Sequence, residues 1–301
     1  MTTTMDDAVQ SVIKPLHPLF AVEILGMDLR TPLSPDQVAL IHAQMNRYAV
    51  VVLRDQRIDD DQQLAFAQAL GTLESTPAVV DQHLKRLKHK GMVDISNLDV
   101  DGSVIAEDDR RCMFNLGNLL WHSDSSFKAT PAHYSMLHAR LVPPSGGETE
   151  FADMRAAYDD LPAPQKTLIE PLICDHSLIY SRALLGFDDF TAQEKEQFAP
   201  VPQRLVRRHP GSGRRSIFLS SHIGSIHGWR RPEAMVLIRE LTEHATQRRY
   251  VYRHEWRVHD LVIWDNRCTM HRARPFEERR YKRDMRRLTL EDCAPSLQQP
   301  L

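Results

Sequence analysis

The sequence predicts a single α+β domain built on a sandwich or jelly-roll core. Strand-length apolar or alternating runs recur from residues 49–53 to residues 284–290, with helical patterns dispersed among them. No repeat, low-complexity stretch or linker divides the 301 residues, a length that supports one substantial core. The domain is expected to span 1–301, with a flexible start over 1–14.

In chain order, residues 16–27 mix apolar residues with Pro18 and Gly26 and predict an entering strand. Residues 34–37, Ser-Pro-Asp-Gln, predict a helix start: Ser34 can cap, Pro35 suits the first turn, and Gln37 completes a capping box. Val38, Ile41, Met45 and Tyr48 then follow the spacing of a buried helical face. Residues 49–53, Ala-Val-Val-Val-Leu, predict a strand buried on both faces. A second helix over 60–70 is stopped by Gly71. Residues 75–120 carry a short strand at 92–95 and otherwise predict a long loop or lid. Its basic cluster, Lys85, Arg86, Lys88 and Lys90, is ordinarily a solvated face; contact of one cation with an anionic substrate is the functional alternative.

Strand, turn and strand follow over 134–151, with residues 143–147, Pro-Pro-Ser-Gly-Gly, as the turn. Two short helices come next, over 153–161 with Asp153 as cap and over 164–172. Residues 173–200 have no clear period and receive no assignment. Residues 209–214, His-Pro-Gly-Ser-Gly-Arg, form a turn between short strands at 205–208 and 216–220. Residues 232–247 predict an amphipathic helix with Met235, Ile238 and Leu241 on one face. Tyr250, Tyr252, His254, Trp256 and Val258 alternate as on a half-buried strand, and 261–264 and 284–290 predict two more.

Hydrophobic residues make up 42% and charged residues 26%, with a net charge of −2, the balance of an ordinary soluble globular protein. Such a charge gives no attraction to nucleic acid or an anionic membrane, and no apolar run nears the ~18 residues of a membrane span. The start of the chain lacks the basic and apolar segments of a secretory signal. Cys112, Cys174, Cys268 and Cys293 have no paired spacing, which predicts reduced thiols in a cytoplasmic protein.

Residues 121–127, Trp-His-Ser-Asp-Ser-Ser-Phe, are the stretch around which chemistry can be organised. On extended backbone His122 and Asp124 point the same way, so one nitrogen and one oxygen can face a single metal ion. Of the 15 histidines, only His122 has an acidic residue two positions later. A third ligand must come from elsewhere, and His271 in the run 261–272 is the candidate. Two histidines and a carboxylate leave open coordination positions, the arrangement of non-haem Fe(II) oxygenases. Spacing alone leaves a hydrogen-bonded strand histidine as the competing interpretation. Cys268, three residues before His271, is expected to pack rather than to ligate.

Three stretches together resemble the Fe(II)/2-oxoglutarate-dependent taurine dioxygenase and 2,4-dichlorophenoxyacetate dioxygenase family. They are residues 121–127, residues 144–151 (Pro-Ser-Gly-Gly-Glu-Thr-Glu-Phe) and residues 264–272 (Trp-Asp-Asn-Arg-Cys-Thr-Met-His-Arg). Residues 153–158, 209–214 and 244–247 support the likeness, which runs from about 15 to 292 and is nearer to the 2,4-dichlorophenoxyacetate branch. The resemblance implies a double-stranded β-helix with iron held by His122, Asp124 and His271 as the catalytic centre, and 2-oxoglutarate and O2 as co-substrates. Thr149 matches a threonine whose hydroxyl touches 2-oxoglutarate. Arg283 matches the arginine for its distal carboxylate, with Lys282 the alternative one residue earlier; a planar two-pronged guanidinium suits a carboxylate better than an ammonium does.

Arg287 matches the arginine that binds the acidic group of the primary substrate. On an alternating strand residues 283, 285 and 287 share a face, so both arginines can look inward. Asn118 matches a polar position on the substrate side of the metal, and His222 and Ile223 a pocket wall. His209 is expected to stabilise its turn, and Arg280 and Arg286 to be solvated. Where the herbicide dioxygenase carries a lysine near position 79, this chain has Val79, so that role falls to the basic cluster at 85–90 or is absent. The implied activity acts on a small anionic aromatic substrate. It hydroxylates an aryloxyalkanoate such as 2,4-dichlorophenoxyacetate next to its ether oxygen, giving a phenol, glyoxylate, succinate and CO2. Taurine or another small sulfonate or carboxylate is the alternative substrate class. A jelly-roll protein with a structural or hydrolytic metal is a further one, and Thr149 and Arg283 argue against it. A homo-oligomer is implied by analogy.

Overall fold

The computed structural model describes residues 12–75, 86–89, 91–106 and 109–301. Val79, Lys85, Lys90 and the first eleven residues of the expected flexible start lie outside them. The end of that start is instead paired strand: β1 (Val12–Pro15) and β2 (Val22–Leu25) form an antiparallel hairpin. The entering strand is thus two short arms, with Ala21 between them in the left-handed region at φ 65°.

α1 (Pro35–Tyr48) starts as expected, with the Ser34 hydroxyl accepting from Gln37 N–H and the Gln37 side chain accepting from Ser34 N–H. β3 (Val50–Leu53) is buried throughout, and α2 (Asp60–Leu70) carries its own capping box at Asp59. Expected as a long loop or lid with one strand, the described part of 75–120 holds β4 (Val93–Ser96) and, beyond expectation, α3 (Arg110–Asn115) and a 3-10 turn over Leu116–Leu119. β5 (Ala132–Leu141), β6 (Thr149–Asp153), α4 (Met154–Asp159) and α5 (Ala163–Ile169) keep the predicted order. The unassigned stretch contains β7 (Ile173–His176), α6 (Leu178–Ala183) and α7 (Ala192–Gln197). β8 (Val201–Arg204), β9 (Val206–Arg208), β10 (Arg215–Ile217), β11 (Ile223–Ile226) and α8 (Arg231–Ala245) follow. β12 (Val251–His254), β13 (Leu261–Asp265), β14 (Thr269–Ala273) and β15 (Asp284–Glu291) complete the set.

The alternation of β3 shows how the layers form. Val50 and Val52 point to one side of a seven-stranded sheet ordered β1-β2-β3-β13-β5-β15-β4, and meet Phe151 and Tyr252 of a smaller β12-β6-β14 sheet. Val51 and Leu53 point to the other side, against Ile41 and Met45 of α1 and Phe66 and Leu70 of α2. Beyond the small sheet, Ala152 and Met270 pack on Leu237, Ile238 and Leu241 of α8. Fully burying each large apolar side chain contributes about 1.5–3 kcal/mol, so this double-sided packing dominates the stability of the sandwich. The α+β class with a sheet-sandwich, jelly-roll core is as predicted. No described helix is long and apolar enough to cross a membrane.

The strand expected over 249–258 stops at His254. Tyr250 lies in a 3-10 turn, and beyond the strand the Asp260 carboxylate accepts from Arg257 N–H at 2.9 Å and lies 3.1 Å from His254 Nε2. Those bonds, with His259 at φ 70°, fold the chain into a turn where an extended run was predicted.

Candidate active site

His122 and His271 are brought together by backbone hydrogen bonds. His122 N–H donates to His271 O at 3.0 Å and His271 N–H to His122 O at 2.8 Å, an isolated bridge that ties the 121–127 loop to β14. The Ser123 side chain turns the opposite way and donates to Thr269 O at 3.0 Å. Asp124 N–H donates to the Asn266 side-chain oxygen at 3.0 Å, and Ser125 at φ 51° then turns the chain away. The extended geometry needed to aim both side chains one way therefore lasts only from His122 to Asp124.

The three side chains converge. Asp124 Oδ1 lies 3.9 Å from His122 Nε2 and Oδ2 lies 3.7 Å from His271 Nε2, and one ligand atom from each residue falls within 4.8 Å of the others. His122 Nδ1 is 2.7 Å from Leu120 O, which places its proton on Nδ1 and leaves the Nε2 lone pair free. Burial pushes both imidazoles toward the neutral form, His271 down to about 3. Burial alone would raise the Asp124 carboxyl, but the Arg287 guanidinium and the imidazoles hold it well below the usual carboxylate range. Two neutral nitrogens and one carboxylate are the protonation states a divalent transition metal requires. Sequence reasoning missed two supports. Ser135 donates to Asp124 Oδ2 at 2.7 Å, and the Asn266 amide nitrogen donates to Ser135 at 2.9 Å.

A cavity of about 450 Å³ opens onto these groups and is lined by Asn118, His122, Thr149, His271, Arg283 and Arg287 among polar residues, and by Ile95, Leu137 and Trp264 among apolar ones. A neighbouring cavity of about 620 Å³ shares Ile95, Asn118, Ala273 and Arg283 with it. Arg283 is buried and Lys282 exposed, so Arg283 is the cation that faces inward. Among the described residues its guanidinium has no acidic partner within bonding distance, and its buried Nε has no hydrogen bond. Burial pushes it down to about 10. The Thr149 hydroxyl accepts from Trp256 Nε1 at 3.0 Å, which leaves its own proton to donate. Thr149 is carried past Arg283 by the predicted turn, where Gly146 sits at φ 75° and a Cβ would come 2.6 Å from Pro275 O.

Arg287 also reaches the cavity, and its Nη1 donates to Asp124 Oδ1 at 2.7 Å. Two predicted wall residues lie elsewhere. Ile223 is packed in the apolar core under α8, because its strand pairs with β7 and turns it there. His222 lies behind His122, with ring centroids 6.2 Å apart, and its Nδ1 is 2.8 Å from Ser181 Oγ. Neither lines either cavity. Of the basic cluster, Lys88 is exposed, whereas Arg86 is bound to Asp94 and Asp284 and is not a free cation. Arg286 is not solvated as expected: it pairs with Asp284 and faces Asp94 and Asp60. Arg280 is exposed. His209 stabilises its turn, accepting from Ser212 N–H at 3.0 Å, and Cys268 is buried as predicted.

Comparison with known proteins gives the family. Residues 13–289 match the model of the taurine catabolism dioxygenase TauD, TfdA family. The chain belongs to this family. It is 46% identical over 283 residues to the alpha-ketoglutarate-dependent 2,4-dichlorophenoxyacetate dioxygenase of Cupriavidus pinatubonensis, covering 94% of this chain and 98% of that one. It is 36% identical over 273 residues to the (S)-phenoxypropionate/alpha-ketoglutarate-dioxygenase of Sphingobium herbicidovorans, covering 88% and 90%. Among solved structures it superposes on AAD-2 in complex with Mn(II) and N-oxalylglycine with a TM-score of 0.89 at 49% identity, covering 96% of this chain and all of that one. As a TauD/TfdA-family chain it is a dioxygenase, and its His122, Asp124 and His271 side chains lie close enough together to hold one metal ion.

Proposed function

We propose that this chain is an Fe(II)/2-oxoglutarate-dependent dioxygenase that hydroxylates an aryloxyalkanoate on the carbon next to its ether oxygen. The observation that carries the proposal is one cavity lined by His122, His271 and Arg283, with Asp124 against both histidines and, among the described residues, no carboxylate within ion-pair distance of the buried Arg283. N-oxalylglycine, bound with a metal by the AAD-2 relative, has the chain of 2-oxoglutarate with one methylene replaced by NH. When bound, iron together with 2-oxoglutarate and dioxygen supplies the power to oxidise a C–H bond, with release of succinate and CO2.

The protein's own residues hold and aim. His122, Asp124 and His271 provide the metal's ligands. Arg283 and the Thr149 hydroxyl receive the distal carboxylate of 2-oxoglutarate, a charge-assisted contact for the guanidinium. Arg287 anchors the anionic group of the substrate while steadying Asp124, and Asn118 borders the same space. Ile95, Leu137 and Trp264 give the aromatic ring an apolar wall. Holding the target carbon in a fixed place is what the site contributes to rate. Hydroxylation there makes a hemiacetal, which collapses to a phenol and glyoxylate. None of the four cysteines is in a disulfide, which suits the cytoplasm as the enzyme's location.

The test is succinate and phenol release with Fe(II), 2-oxoglutarate and air, on phenoxyacetate, 2,4-dichlorophenoxyacetate, phenoxypropionates and taurine. Phenol formed one-for-one with succinate is the expected result. Succinate coupled to taurine alone would keep the iron chemistry and overturn the substrate.

A further inference from the structure

Asn266, in the turn after β13, has all four bonding positions of its side-chain amide engaged. The residue is fully buried, and its backbone N–H donates to His133 O at 2.9 Å. Its side-chain oxygen accepts from Asp124 N–H at 3.0 Å and from Trp264 Nε1 at 3.1 Å. Its side-chain nitrogen donates to Ser135 Oγ at 2.9 Å and lies 3.5 Å from His133 O. Two N–H donors on one side fix which end of the amide is oxygen, because a flipped amide would set donor against donor twice.

The same orientation sets Ser135. Its hydroxyl has one proton, and because it accepts from Asn266 that proton is left for Asp124 Oδ2 at 2.7 Å, the nearer of two oxygens, with Thr289 Oγ1 at 3.4 Å. Asn266 thus holds Asp124 at both ends, the backbone directly and the carboxylate through Ser135. Its oxygen also holds Trp264, whose indole lines the cavity with its ring 4.8 Å from the His271 ring. Asp124 and Trp264 are buried, so each would be left with an unpaired N–H without the amide, a costly state.

We infer that Asn266 is a positioning residue that fixes, with one amide, both the metal's carboxylate ligand and the aromatic wall of the cavity. Losing it disturbs metal binding and aryl binding together, whereas losing the Ser135 hydroxyl disturbs the metal alone. The aryl half rests on the aryloxyalkanoate function proposed above; the metal half does not.

Calorimetry without turnover tests this with two ligands: Mn(II) alone, then phenoxyacetate on protein saturated with Mn(II) and N-oxalylglycine. The proteins are the wild type, Ser135→Ala, Asn266→Ala and the double variant, each with its denaturant midpoint. Partners that orient a metal ligand typically set affinity by about 10- to 100-fold, so each single variant should weaken Mn(II) about tenfold or more. The double variant should lose less than the product of the two single losses, because part of the Asn266 effect passes through Ser135. Phenoxyacetate should weaken about threefold or more in Asn266→Ala, the size of a lost neutral hydrogen bond, and stay within about twofold in Ser135→Ala. A purely structural Asn266 would lower the midpoint and leave the Mn(II) affinity of the folded protein unchanged. That result, or losses that simply multiply in the double variant, overturns the proposal. Unchanged Mn(II) affinity in Ser135→Ala overturns it even where Asn266→Ala fails to fold. Mn(II) loss in Asn266→Ala with phenoxyacetate unchanged overturns the shared role. A wild type that binds N-oxalylglycine but no aryloxyalkanoate overturns the function proposed above, while the Mn(II) losses still decide Asn266.

Discussion

Two buried clusters among the described residues have nearly the same make-up, and they differ in the lone pairs they leave for a metal. His122 and His271 line a cavity with Asp124 against both, whereas His209, Asp265 and Cys268 are buried and line neither cavity. In the second, Arg267 grips Asp265 with both prongs, Nε to Oδ1 at 2.9 Å and Nη2 to Oδ2 at 2.6 Å. His209 accepts at Nδ1 from Ser212 N–H, so its Nε2 carries the proton and donates to Asp265 at 2.9 Å. No imidazole lone pair is left over. In the first cluster each Asp124 oxygen accepts one side-chain bond, and the His122 lone pair is free. Donor type does not make a metal site; unspent lone pairs beside open space do.

The sharpest break between the clusters is activity. His122→Ala or Asp124→Ala should abolish succinate formation, while His209→Ala should retain it per folded molecule. Loss of turnover in a folded His209→Ala would erase the distinction. Stability should separate them the other way. Asp265→Asn leaves the buried Arg267 charge uncompensated and is expected to cost about 3–5 kcal/mol in denaturant unfolding. Asp124→Asn should cost less, because the Arg287 it abandons is about a fifth exposed, with 22% of its side chain open to solvent.

In the cavity beside the first cluster, Arg283→Ala should raise the 2-oxoglutarate KM at least about tenfold, since a hydrogen bond to a charged group contributes about 1.5–3 kcal/mol. An unchanged KM would remove Arg283 from that role. Thr149→Val should have the smallest effect, severalfold on the same KM, as expected for a neutral donor worth about 0.5–1.5 kcal/mol.

Elements with a local signal were legible in the sequence. The Ser34 capping box, the β3 run and the 143–147 glycine turn each encode their own conformation, and the His-x-Asp spacing carried the pair of side chains that turn the same way. The stretch 173–200 was not legible, because β7, α6 and α7 are short and owe their burial to distant partners. Cys174 joins the α8 core, while Phe187, Phe190 and Phe198 form a small cluster of their own with Leu178. Arg286 and the Asp265–Arg267 pair were opaque for a related reason: whether a charge is solvated or locked depends on which carboxylate the fold brings opposite it.

The most direct measurement is anaerobic Fe(II) titration of the wild type, Asp124→Asn and Asp265→Asn, counting metal per folded chain. One ion in the wild type, one in Asp265→Asn and none held tightly in Asp124→Asn is the predicted result. An Asp124→Asn protein that still binds one ion, or an Asp265→Asn protein that folds but binds none, would contradict it.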